Sequence, residues 1–168
     1  MAVSDISRVD DLLKALEELG SYETVVGILS SAGGELLTIA YVQEFGTTIQ
    51  VTDKMRGYFR YNFNVNLSTP VIKIPERSFI RSSFDSKEPE IGQTGDELII
   101  SVLEGNINAY TFFDVLGQTA ANTIRNYLIN EVTSPPNSPL TVANKGSSNP
   151  LVDTGRLVNS IDYEVRKK

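Results

Sequence analysis

The residues with the most obvious chemical potential are carboxylates. Asp85, Glu88 and Glu90 form one cluster and Asp96-Glu97 a second. Paired acid/base work needs two carboxylates held at a defined separation in a partly buried site. Both clusters lie in polar sequence near Pro and Gly, which predicts solvated surface. Asp96-Glu97 is expected to be the negative first turn of a helix, where it complements the macrodipole. Asp153-Thr154-Gly155 has the residues of an aspartic-protease triplet. That chemistry shares one proton between two carboxylates and needs strands and a flap beyond the triplet. Only Arg156 to Lys168 follow, so a helix start capped by Asp153 or Thr154 is the expected role. A hydroxyl of Ser147 or Ser148 with Lys145 is the remaining nucleophile arrangement, and it lacks a histidine to activate it. The chain has no His and no Cys. This removes the commonest general base, thiolate metal sites and a cysteine nucleophile. The spaced glycines and lysine of a phosphate loop are missing, and Gly33-Gly34 reads as a turn. No catalytic, cofactor-binding or metal-ligating set is expected.

Charge and hydropathy bound the partners. Fifteen Lys+Arg stand against 21 Asp+Glu, a formal charge of −6. That balance is poorly suited to broad phosphate contact, so no sequence-specific nucleic-acid binding is expected. Arg166-Lys167-Lys168 reads as a solvated tail. No apolar run approaches the ~18–20 residues of a membrane span, and Met1 to Asp5 has no signal-peptide pattern. A single domain over residues 1–168 is expected.

The elements follow from spacing. Ser4 or Asp5 is a candidate cap for a first helix through residue 20, with Val9, Leu12, Leu13, Leu16 and Leu19 as one apolar stripe and Gly20 as its stop. Thr24–Leu29 reads as a strand, Ser31–Gly34 as a hairpin turn and Leu36–Val42 as the returning strand. The continuous apolar content of 36–42 also fits a short buried helix. Ile49–Thr52 is a short extended piece. Thr52 or Asp53 then caps a short helix containing Met55, Tyr58 and Phe59. Val71–Ile74 is another strand, closed by Pro75. Glu76 to Phe84 has helical spacing, with Phe79, Ile80, Ser83 and Phe84 on one side.

The middle of the chain carries the clearest pattern. Leu98, Ile99, Val102 and Leu103 form a helical face ended by Gly105. Asn108 caps a long helix with Ala109, Phe112, Phe113, Leu116, Ala120, Ile124, Tyr127 and Leu128 on its apolar side. The pair predicts a helical hairpin turning at Gly105-Asn106. Ser134–Pro139 stops the long helix. Residues 134–150 read as an extended loop or arm. Leu157, Val158 and Ile161 make a short helical turn, and a last strand runs through Tyr163 and Val165. Gln118, Asn122, Asn126 and Asn130 recur every fourth residue and share one helix face. Such amides serve equally as a solvated face or as a contact that buries no charge.

Two segments carry a resemblance. The first is Tyr41-Val42-Gln43-Glu44-Phe45-Gly46-Thr47-Thr48-Ile49-Gln50 through Arg56, then Ile74-Pro75-Glu76-Arg77-Ser78-Phe79-Ile80-Arg81. The second is Lys145-Gly146-Ser147-Ser148-Asn149-Pro150-Leu151-Val152-Asp153-Thr154-Gly155-Arg156-Leu157, then Asn159-Ser160-Ile161 and Tyr163-Glu164-Val165. In this order they resemble the tail-completion, or virion-morphogenesis, proteins of tailed bacteriophages. The similarity spans roughly Val25 to Val165. It departs at Thr141–Asn144, where the family pattern is more basic.

The resemblance implies a non-catalytic structural protein of the virion neck, assembled in the bacterial host cytoplasm. It implies a ring of identical subunits, taken here as a hexamer, with the tail tube or tail terminator and the head connector as neighbours and no membrane partner. A tail terminator or head-side connector subunit is the alternative position, and a small hydrolase the alternative class. The expected fold is α+β, with a small mixed or antiparallel sheet packed against a long helix and a helical hairpin, and extended loops. Candidate subunit contacts are Arg77, Arg81, Gln118, Asn122, Asn126, Lys145, Asp153 and Arg156. Arg77 and Arg81, four apart, are expected to share a helix face and pair with a neighbour's carboxylates, or else to be ordinary surface arginines. The arm from Pro136 to Pro150 either wraps a partner or crosses its own domain.

Overall fold

A computed structural model describes residues 3–145 and 149–168, and the fold is α+β. Helix α1 (Val3–Gly20) begins ahead of the expected cap, with Ser4 and Asp5 already inside it. Its apolar stripe divides into two rows. Leu12, Ala15 and Leu19 are half-buried towards the body, while Val9, Leu13 and Leu16 are exposed. Strand β1 (Tyr22–Ile28) follows as expected.

The expected hairpin is not formed. Ser30–Ala32 is a single 3-10 turn, Gly33 sits at φ +87°, and residues 34–45 form helix α2 (Gly34–Phe45). A short apolar run is compatible with either state, and its length and tertiary partner decide. Here the inward positions are Ala40 and Glu44, four apart on one helix face. The true partner of β1 is β4 (Ile161–Lys167), antiparallel, with Val26 opposite Tyr163.

A second antiparallel pair joins β2 (Thr47–Gln50) to β3 (Val71–Ile74), with Ile49 opposite Ile72. Between them lies α3 (Asp53–Phe63). The Thr52 hydroxyl accepts from the Met55 N–H at 3.3 Å, which is the expected N-cap. Asn64 closes α3 in the left-handed region at φ 52°. The Arg56 guanidinium donates to the carbonyls of Leu67 and Thr69, holding the return loop to the helix. This β2–α3–β3 arm packs chiefly on itself.

Helix α4 (Ile80–Leu103) is one 24-residue element that runs through Pro89. Asp96 and Glu97 therefore sit in mid-helix, exposed, and do not mark a helix start. Asp85, Glu88 and Glu90 are exposed on the same helix. Residues 76–79 precede the helix and are not helical. Helix α5 (Ala109–Asn130) is capped as expected, with Asn108 Oδ1 accepting from Thr111 N at 2.8 Å. It packs against α4 as a hairpin and lies across both strands of the β1–β4 pair. Gly117 permits that crossing. A Cβ there would fall 2.5 Å from Thr24 Oγ1 and 2.5 Å from the Tyr163 ring. The glycine that weakens the helix pattern is thus a packing requirement.

The core gathers Phe79, Ala121, Ile124, Leu128, Val132, Leu151, Leu157 and Ile161 under α2. Leu151 follows directly on the 134–150 segment, which is not extended throughout as expected but contains a short helix, α6 (Pro139–Lys145). Helix α7 (Arg156–Asn159) starts at Gly155, in the left-handed region at φ 77°, with no side-chain cap. Asp153 and Thr154 are accordingly not its caps. Among the described residues, Thr24 Oγ1 is the one buried side-chain polar atom without a hydrogen-bond partner. Thr24→Val removes that hydroxyl while keeping the shape. It is expected to raise stability by about 1 kcal/mol, read as a higher urea midpoint; a lower midpoint would mean that the hydroxyl is satisfied in solution.

Candidate interaction site

The two halves of the first motif meet in space. Glu44, at the end of α2, is 4% exposed and faces the start of α4. Its Oε2 accepts from the Phe79 N–H at 2.8 Å and the Ile80 N–H at 3.0 Å. Its Oε1 accepts from Ser78 Oγ at 2.8 Å, Arg81 N at 3.0 Å and Arg81 Nε at 3.1 Å. A helix leaves its first N–H groups without internal partners, and a carboxylate from another helix satisfies them here. Burial by itself would raise the Glu44 pKa. The hydrogen bonds from Ile80, Arg81, Ser78 and Phe79 outweigh it and hold the carboxyl below its ordinary value of 4.5.

Arg77 lies outside α4, so it shares no helix face with Arg81. It is 6% exposed. Its guanidinium donates to the carbonyls of Pro135 (2.7 Å) and Pro136 (3.0 Å) and to Gln43 Oε1 (3.2 Å). Its backbone N–H donates to Gln43 O at 2.7 Å. Burial lowers its pKa. Arg81 is half-exposed. It pairs with Glu76 at 2.8 Å and Glu44 at 3.1 Å, and lies 4.5 Å over the Phe45 ring. The hydrogen bond to Glu76 leads the causes that raise its pKa. Both arginines thus bind their own chain. The start of the 134–150 segment docks on its own domain too, through Arg77. Asn137 Nδ2 reaches Asn149 O at 3.2 Å, and Asn149 Nδ2 reaches Ile129 O at 3.0 Å.

The other expected contact residues are dispersed. Gln118, Asn122 and Asn126 are exposed along α5, and Asn122 Oδ1 accepts from Arg125 at 2.8 Å. Lys87 of α4 pairs with Glu131 at 2.9 Å beside the Asn126–Asn130 face. Asp153 is exposed on the rim of a shallow groove of about 330 Å³ between α2 and the turn before α7. Arg156, on the same rim, reaches both carboxylate oxygens of Glu35 at 3.3 Å. Lys145 ends α6, with its side chain outside the described ones. Gly146, Ser147 and Ser148 lie outside the described residues. Among those described, no three carboxylates converge as metal ligands, and no helix is long and apolar enough to cross a membrane.

Two surfaces had no role assigned from sequence. Lys54, Gly57, Tyr58 and Tyr61 are all exposed on one face of α3, and Tyr61 is 90% exposed. Between β1, α4 and α5 runs an apolar groove of about 440 Å³, lined by Val26, Ile80, Phe84, Leu116 and Ile124 and edged by Arg81 and Asp85. Leu116, expected in the core seam, lines this groove half-buried, whereas Phe112 is buried. The α3 face was legible as two tyrosines and a lysine at helical spacing. The groove was not, because three distant segments build it. Comparison with protein-family models, curated proteins and solved structures finds no match for this chain.

Proposed function

We propose that this chain is a structural subunit of a ring at the head–tail junction of a tailed phage, completing the tail or joining it to the head. The observation that carries this reading is the division of labour among its polar and apolar groups. The buried charges, Glu44 and Arg77, are bonded to the chain's own backbone and lock α2, α4 and the 134–150 segment together. Large apolar and aromatic side chains stay exposed on α1, α2 and the β2–α3–β3 arm: Val9, Leu13, Leu16, Tyr41, Tyr58 and Tyr61. Such surfaces on a rigid body mark protein contacts. The two motif segments that resemble tail-completion proteins support the neck position. The ring's neighbours would be the tail tube or terminator on one side and the head connector on the other.

A cyclic ring needs a heterologous contact that closes on itself. Native mass measurement is expected to give one closed oligomer, six copies in this reading, either alone or on added tails. A monomer at every concentration, with no binding to tails or connectors, overturns the proposal.

A further inference from the structure

The arm is basic and helix α4, one wall of the groove, is acidic. The β2–α3–β3 arm, residues 47–74, carries Lys54, Arg56, Arg60 and Lys73 against Asp53 alone, a formal +3 within a chain of −6. Helix α4, which forms one wall of the groove, carries Asp85, Glu88, Glu90, Asp96 and Glu97 against Arg81 and Lys87, a formal −3. Arg81 is already paired with Glu44 and Glu76, and Lys87 with Glu131. At the groove edge Arg81 is thus spent on Glu44 and Glu76, and Asp85 is left as a carboxylate with no ion pair among the described residues. The arm also packs chiefly on itself, so its exposed α3 face is not spent on its own domain.

We propose that the α3 face of one copy docks into the β1–α4–α5 groove of the next copy, with Tyr61 and Tyr58 against Phe84, Ile80 and Leu116, and Lys54 opposite Asp85. This contact rests on the ring reading and supplies its heterologous interface. Tyrosine suits such a site because its ring is apolar and its hydroxyl can stay at the wet edge. A groove of about 440 Å³ is of the size that holds a small ring-bearing group. The ionic rim sets orientation and makes assembly sensitive to salt. Because donor and acceptor lie on different surfaces of each copy, the contact propagates head to tail until the ring closes.

The chain has no native cysteine, so engineered pairs report this contact alone. Gly57→Cys adds a side chain where nothing lies within 4 Å, and Glu88→Cys is exposed on α4, four residues after Phe84 and three before Ile91, which both line the groove. Oxidising the doubly substituted chain is expected to give a ladder of disulfide-linked multiples ending at the closed ring, with neither single variant going beyond a dimer. Tyr61→Glu in that background is expected to cut the ladder at least tenfold. Lys54→Glu should weaken it, and adding Asp85→Lys should restore it. A ring seen by native mass that yields no ladder overturns this contact and leaves the ring reading standing. A ladder indifferent to Tyr61→Glu is collisional and also overturns the contact. A protein that stays monomeric and unlinked at every concentration, with tails and connectors present, overturns both.

Discussion

Glu44→Gln is expected to lower the stability of the folded chain by about 3–5 kcal/mol. One carboxylate oxygen becomes an NH2 group, and it faces donors. Either the pair from Phe79 and Ile80 or the set from Ser78 and Arg81 loses its acceptor. The Phe79 side chain is fully buried, so water cannot readily replace the lost acceptor. The start of α4 and the core residue it positions would loosen together. For a chain of this length each kcal/mol corresponds to about 2–4 °C, so the midpoint should fall by roughly 10 °C. A drop of only 1–2 °C would show that the cap contributes little.

The same group predicts a pH signature. Its folded-state pKa lies below the ordinary 4.5, so the unfolded chain binds the proton more readily. The stabilisation is therefore complete above about pH 4.5 and is lost as the pH falls through the folded-state value. Glu44→Gln should show a flatter stability profile than the parent below pH 4.5. Parallel profiles would rule out Glu44 as the source.

Gly46→Ala is expected to cost a similar amount, about 3–5 kcal/mol, for a different reason. Gly46 sits at φ 67°, ψ 168°, a region open essentially to glycine alone and costing about 1–3 kcal/mol for other residues. A Cβ there would also fall 2.8 Å from Glu76 N and 3.0 Å from Ile74 O. Those are backbone atoms, and the Arg77 N–H bond to Gln43 O holds them in place. Alanine restricts the unfolded chain, but that gain is only about 0.4–1 kcal/mol. Urea unfolding measures the difference, and a change below 1 kcal/mol would mean that the α2–β2 corner adjusts freely. Both substitutions strike the place where the two halves of the first motif touch. Both should also reduce assembly by loosening the root of the β2–α3–β3 arm.

What the sequence determined by itself is local. The caps at Thr52 and Asn108 and the long stripe of α5 are set by neighbours within a few residues; α5 itself ends at Asn130, ahead of the Ser134–Pro139 stretch expected to stop it, and β2 covers Thr47–Gln50, two residues ahead of the expected 49–52. The physics of the caps and the stripe is hydrogen bonding to the next turn and side-chain period. The single stripe of α1 was legible too, but not its division into an inner and an outer row.

Only the tertiary structure decided the rest. Residues 36–42 have apolar content that suits a strand or a helix. They are helical because β1 finds its partner in β4, more than a hundred residues later, and because Glu44 must lie one turn beyond Ala40 to reach the start of α4. Nothing within hydrogen-bonding distance along the chain announces such a pairing. Arg77 read as a surface charge because its acceptors, the carbonyls of Pro135 and Pro136, lie 58 and 59 residues away. The apolar groove likewise exists only once β1, α4 and α5 are folded together. Long-range contacts of this kind are chosen by burial and by the need to satisfy every buried polar group, and those quantities belong to the assembled molecule and not to any window of its sequence.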